Sequence, residues 1–271
     1  LKSMSKTLAT GKKQQLFLIL SGIFITNALL AEIMGVKIFS AEKIIGVAPA
    51  HIEILGFNLD FNLTAGVILW PVVFLTTDII NEYFGREGIK KISLLTAGLI
   101  SYAFLIIYTI TLLPPAQFWL EINALDALGN VFNIDLAFNK IFTQGLGIIV
   151  GSLVAFLIGQ LLDVYIFQKL RQFTGPKLIW LRATGSTLIS QLIDSFIVLF
   201  LAFYLLAPAE SQWPLAQVLA VGSVNYIFKF VIAILSTPLI YLGHYGIEKY
   251  LGVERAQKMA EEATQNSHST I

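Results

Sequence analysis

Two short polar pairs with the same spacing stand inside otherwise apolar stretches: Gln160 with Asp163, and Gln191 with Asp194. Residues three apart share a face of a helix, so each pair presents one amide and one carboxylate in the same direction. A carboxylate inside a hydrocarbon slab costs roughly 2.5–3.5 kcal/mol on insertion scales, so it is kept where it faces a bundle interior or a solute. Lys229 lies in the middle of another apolar run and is depth-matched to Asp194, which makes the two an expected ion pair. Asp78, Asn81 and Glu82 occupy one face of a further run that opens on Trp70 and Pro71. Asn225 and Tyr226 precede Lys229 on its own stripe, and Glu32 and Asn27 add polarity to the first run. The chemistry on offer is recognition of a polar solute by carboxylates, amides and one ammonium. The competing role is interhelical hydrogen bonding, with Asp194 and Lys229 as a purely structural pair.

The elements that carry these residues follow from composition. Of the 271 residues 56% are hydrophobic and only 13% charged, about half the charge of a soluble domain. Crossing the hydrocarbon core takes about 20 mostly apolar residues, and six segments meet that requirement: 15–38, 64–84, 91–113, 140–168, 180–207 and 215–246. The chain therefore reads as an all-α integral membrane protein with six transmembrane helices. The first apolar run is too long for a cleaved leader and reads as a retained helix. Pro71 is expected to kink the second helix. Gly147, Gly151, Ala155, Gly159 and Asp163 recur every four residues, a small-residue stripe that packs against protein within one bundle or between two copies.

Fourteen of the 18 basic residues fall before the first helix, between the second and third, between the fourth and fifth (Lys169, Arg171, Lys177 and Arg182 among them), or after the sixth. That bias places both termini in the cytoplasm. The organisation expected is a cytoplasmic segment over 1–14, one membrane domain over 15–250 and a polar cytoplasmic tail over 251–271, a frayed helix end followed by disorder. The connection around 56–62 alternates in polarity and suits a small hairpin or an interfacial turn.

Several functions are excluded. There is no Cys, and His51, His244 and His268 have no metal-ligand spacing, so no metal site is expected. Gly-x-Ser-x-Gly, His-Glu-x-x-His and Walker lysine motifs are all missing, and the aspartates lack the Gly-x-Gly-Asp context of intramembrane proteases. No catalytic residue, enzyme activity or cofactor is expected, and a net charge of +1 gives no case for a nucleic-acid partner.

Thr77 and Asp78 followed by Asn81, Glu82 and Gly85, then Gly159, Gln160, Asp163 and Val164, then Ser186, Thr187, Asp194 and Ser195, and finally Phe228 and Lys229, resemble the queuosine precursor transporter family of the vitamin-uptake-transporter group. The likeness covers about residues 15–250. It implies six helices in a bacterial inner membrane and uptake of 7-deazaguanines (7-cyano-7-deazaguanine, its aminomethyl derivative, or queuine) for tRNA modification. The guanine edge offers adjacent N–H donors to a carboxylate, and its carbonyl seeks an amide or lysine donor. On that basis Asp163 and Asp194 contact the base edge, with Gln160, Gln191, Asn81 and Asn225 as amide partners. Asp78 and Glu82 contact substrate or gate the inner end, Lys229 holds a carboxylate in place or exchanges with one during transport, and Trp70, Tyr226 or a phenylalanine stacks on the ring. Expected partners are that small molecule, membrane lipid and, through the glycine stripe, a second copy of the chain. The alternatives are a substrate-binding subunit energised by a separate ATPase, and a non-transporting membrane scaffold.

Overall fold

The structure, a computed structural model, describes residues 2–143, 146–174, 178–207 and 209–268; Lys177 lies outside them. The chain is overwhelmingly helical. Helix α1 (Lys2–Met34) leads into a short β1 (Ile38–Ser40) and α2 (Ala41–Ile45), followed by β2 (Ile52–Ile54), β3 (Phe57–Leu59) and β4 (Asn62–Thr64). The long α3 (Trp70–Thr111) is followed by the short α4 (Gln117–Ile122) and α5 (Ile134–Thr143). Then come α6 (Leu146–Thr174), α7 (Ile179–Leu199) with a π-helical turn over Phe200–Leu205, α8 (Leu215–Leu251) and α9 (Val253–His268). Among the described residues five helices are long and apolar enough to cross a membrane: Gly11–Met34, Trp70–Thr111, Ile149–Thr174, Ile179–Leu205 and Leu215–Leu251. The chain is an all-α, multi-pass membrane protein.

Five rather than six arises at α3. The segments expected at 64–84 and 91–113 lie in one 42-residue helix, about 63 Å at 1.5 Å per residue and twice the hydrocarbon thickness. It is broken at Gly85, whose φ of 70° and ψ of −175° are open essentially to glycine alone. Pro71 is not the kink: a 3-10 turn over Ala65–Ile68 precedes the helix, so Pro71 falls in the first turn, where its missing N–H costs nothing. The fourth crossing also begins later than expected. Residues 140–143 belong to α5, and α6 runs on to Thr174, which carries Arg171 inside the helix.

The tail over 251–271 is expected to be a frayed helix end followed by disorder; Val253–His268 form a helix, α9, and residues 269–271 lie outside the described residues. Ala256, Met259 and Ala263 are buried, a helical spacing that lays one apolar face on the core while the charged face stays outside. That core joins Leu16, Leu20 and Phe24 of α1 to Val73, Ile80 and Ile92 on either side of Gly85, and to Ile247 of α8. The connection after α1 forms two antiparallel pairs, β1 with β4 and β2 with β3. The β2–β3 hairpin turns through Leu55 and Gly56, both at positive φ (51° and 82°), as a two-residue hairpin turn requires.

Candidate functional site

Two adjoining lobes open between α3, α6, α7 and α8. The larger, about 530 Å³ counting space open to solvent, is lined by Trp70, Phe74 and Asp78 of α3, Thr187 and Gln191 of α7, and Lys229 of α8. The smaller, about 300 Å³, is lined by Phe156, Gln160 and Asp163 of α6 with Ser190 and Asp194 of α7. Trp70, Phe74 and Gln191 line both, so the lobes form one site with a shared aromatic wall. Trp70 stacks on Phe74 at 5.7 Å between ring centroids and meets Phe156 at 6.0 Å.

Local helix geometry explains how the side chains converge. Gly151 lets α6 press on the chain past α7, where an added Cβ would lie 3.2 Å from the Ala202 nitrogen. Gly222 does the same for α8, since a Cβ there would meet the Phe196 ring at 2.6 Å. Close packing of α6 on α7 and of α7 on α8 then turns the Gln160/Asp163 and Gln191/Asp194 faces towards one space. The glycine stripe of α6 is thus occupied within the bundle by α7.

The polar groups of the site are differently engaged. Asp194 Oδ2 accepts a hydrogen bond from Lys229 Nζ at 2.6 Å, with about a fifth of each side chain still exposed. Asp163 is buried and accepts from the Ser190 hydroxyl at 3.3 Å, and buried Gln160 accepts from the Thr77 hydroxyl at 3.3 Å. Glu32 reaches in from α1, its carboxylate held by the Ser152 hydroxyl of α6 at 2.6–2.7 Å.

Of the residues singled out in the sequence, Trp70, Asp78, Gln160, Asp163, Gln191, Asp194 and Lys229 line the lobes. Asn81, Glu82, Asn225 and Tyr226 do not. Asn81 Oδ1 accepts from Gln168 Nε2 at 2.6 Å, and Tyr226 meets Phe230 edge-on at 6.2 Å. Glu82 lies between two arginines: Arg182 Nη2 reaches its Oε1 at 2.8 Å and Arg171 Nη2 at 3.2 Å. Arg171 also donates to the Ala260 carbonyl of α9 at 2.7 Å, tying the C-terminal helix to the cluster. Both arginines were read from the sequence as residues of a cytoplasmic loop; they are buried side chains of α6 and α7. Sequence reasoning also missed Thr187 and Phe74 as walls. Thr187 shares the polar stripe of α7, a signal that was present, whereas nothing distinguishes Phe74 from the other phenylalanines.

A family described as "Putative vitamin uptake transporter" matches residues 64–243, the region that holds every lobe-lining side chain. The chain is 32% identical over 196 residues to a Bacillus subtilis protein named "Probable queuosine precursor transporter", covering 71% of this chain and 77% of that one. It belongs to the queuosine precursor transporter family. An Escherichia coli "Queuosine precursor transporter" is 31% identical over 191 residues (70% and 74% covered), and a Haemophilus influenzae relative is 27% identical over 208 residues (76% of each). No solved structure matches the chain. Members of this family are transporters and not enzymes.

Proposed function

We propose that this transporter takes up 7-deazaguanine precursors of queuosine through a bacterial inner membrane, binding them in the two-lobed site. The observation that carries the reading is the pairing of a stacked aromatic wall, Trp70 and Phe74, with a carboxylate and amides on the facing helices. A flat bicyclic base needs a ring face to stack on, an acceptor for its adjacent N–H donors and a donor for its carbonyl. Asp163 is assigned the N–H edge, and Gln160 and Gln191 supply the amides. Lys229 holds Asp194 in place, and Trp70 stacks. Glu82 and Asn81 hold helices together at the inner end rather than touching the base, and Asn225 and Tyr226 are assigned to packing.

The same reading takes the two arms of α3, 70–84 and 86–111, as separate crossings joined at Gly85, giving six, with both termini in the cytoplasm and lipid around the exposed apolar faces. The length of α3 supports this, as does the siting of basic residues at one set of helix ends. Residues 15–250 then form a single transport domain. Purified chain reconstituted in liposomes is expected to take up radiolabelled 7-cyano-7-deazaguanine above empty vesicles. Uptake that appears only when an ATPase partner is added would move the protein to the class of substrate-binding subunits.

A further inference from the structure

Among the described residues, the carboxylates in and around the lobes other than Asp78 each accept from a named donor. Glu82 has two guanidinium groups, Asp194 has Lys229, Asp163 has the Ser190 hydroxyl, and Glu32 has Ser152. Asp78 differs. It is only 3% exposed, yet among the described residues no donor reaches its Oδ1. Its charged neighbours are Asp163 and Glu82, which repel it, and Arg182, whose guanidinium is committed to Glu82. An ionised carboxylate left this way in a low-dielectric interior is strongly disfavoured unless something positive, a proton or a bound cation, completes it.

Asp78 is also a wall of the larger lobe. Beside it stand the faces of Trp70 and Phe74, whose ring quadrupoles favour a cation, and the side chains of Thr187 and Gln191 with their oxygen acceptors. Lys229 lines the same lobe, but its ammonium is bound to Asp194. Three carboxylates (Asp78, Asp163 and Asp194) thus line the two lobes against one ammonium, and the unmatched charge is concentrated at Asp78.

We infer that Asp78 is the receiving site for a monovalent cation inside the transport cavity, and that this cation is the ammonium of an aminomethyl-substituted base. The inference rests on the deazaguanine reading above and adds to it a preference for the charged member of that class. An alkali ion travelling with a neutral base is the other source of the same charge.

The test is calorimetric titration of the purified full chain in detergent, in choline chloride, with two ligands that share the bicyclic base: cationic 7-aminomethyl-7-deazaguanine and neutral 7-cyano-7-deazaguanine. The wild type is expected to bind the cation about tenfold more tightly, the scale of one charge-assisted contact. Asp78→Asn is expected to bring the ratio of affinities close to one, and Asp78→Glu to restore the preference. Repeating the cyano titration in sodium chloride separates the sources: a gain in affinity with sodium that Asp78→Asn abolishes supports the site with an alkali ion as its occupant. Equal affinities in the wild type with no sodium effect overturn the cation site and leave the deazaguanine reading standing. If neither compound binds, the reading itself fails.

Discussion

Arg182 of α7 and Glu82 of α3 meet at 2.8 Å although they are 100 residues apart in the chain, and Arg171 of α6 approaches the same carboxylate oxygen at 3.2 Å. Three helices are thereby fixed at one point beneath the lobes, and Arg171 extends the tie to α9. Removing one member of a buried ion cluster leaves the others uncompensated, at a cost of about 3–5 kcal/mol. Glu82→Gln is therefore expected to lower the thermal unfolding midpoint in detergent steeply, whereas Lys258→Ala on the exposed face of α9 is expected to leave it nearly unchanged. A midpoint for Glu82→Gln equal to that of wild type would show that the cluster holds nothing together.

The same cluster marks where the sequence stops being legible. Apolar run length locates the long apolar helices, though not that two of the six expected segments are joined at Gly85, and helical spacing puts Gln160 with Asp163, and Gln191 with Asp194, on common faces. The Asp194–Lys229 pair was legible because both residues sit at matching depth in neighbouring runs. Arg171 and Arg182 were assigned to a loop because the charge rule sums basic residues near helix ends, and it cannot see a carboxylate 100 positions away that draws two guanidinium groups inside. The break at Gly85 was hidden for a related reason. A glycine beside Arg86 and Glu87 looks like any short polar connection, and only the backbone conformation reveals a kink between two helical arms with no loop between them. In α9 the overall polarity concealed an apolar face made of three small or flexible residues.

Lys229 and Asp194 provide a test of pairing as distinct from binding. At 2.6 Å and partly exposed, the pair stabilises the contact of α7 with α8, and neutralising one partner leaves a charge beside the hydrophobic walls of the lobe. Lys229→Met and Asp194→Asn are each expected to destabilise the protein, and the double variant to be more stable than the sum of the two predicts. A coupling of about 1–3 kcal/mol in the double-mutant cycle is expected from thermal unfolding in detergent. Strict additivity would mean that the two charges do not depend on each other.

Asp163 and Trp70 should separate recognition of the edge from recognition of the face. Asp163→Asn keeps the shape of the side chain but exchanges one acceptor for a donor, opposing the N–H edge of a bound base, and a loss of roughly 10–100-fold in deazaguanine affinity is expected. Trp70→Ala removes the stacking surface common to both lobes and should weaken all ring-bearing ligands alike, by about tenfold. The check is a pair of titrations against 7-cyano-7-deazaguanine and a deazapurine lacking the guanine amino group. The tryptophan variant should lose both ligands equally, while Asp163→Asn should narrow the gap between them.

The connection after α1 responds to pH through Glu42. Its Oε1 accepts the Phe61 N–H at 2.6 Å and its Oε2 the Ser40 hydroxyl at 2.9 Å, so one carboxylate fastens the start of α2 to the loop entering β4. The Phe61 bond holds the carboxyl below the usual glutamate range. A group whose folded pKa is depressed contributes stability that is fully present above its unfolded value, about 4.3, and is lost as pH falls through the folded value. Hydrogen-exchange protection of residues 38–64, corrected for intrinsic rates, is therefore expected to be constant from pH 7 to pH 5 and to drop below about pH 4. Glu42→Gln should start from the lower protection already at pH 7 and show no such drop. Protection of the wild-type connection that persists unchanged at pH 3 would mean that the β1–β4 pairing, and not this carboxylate, holds the segment in place.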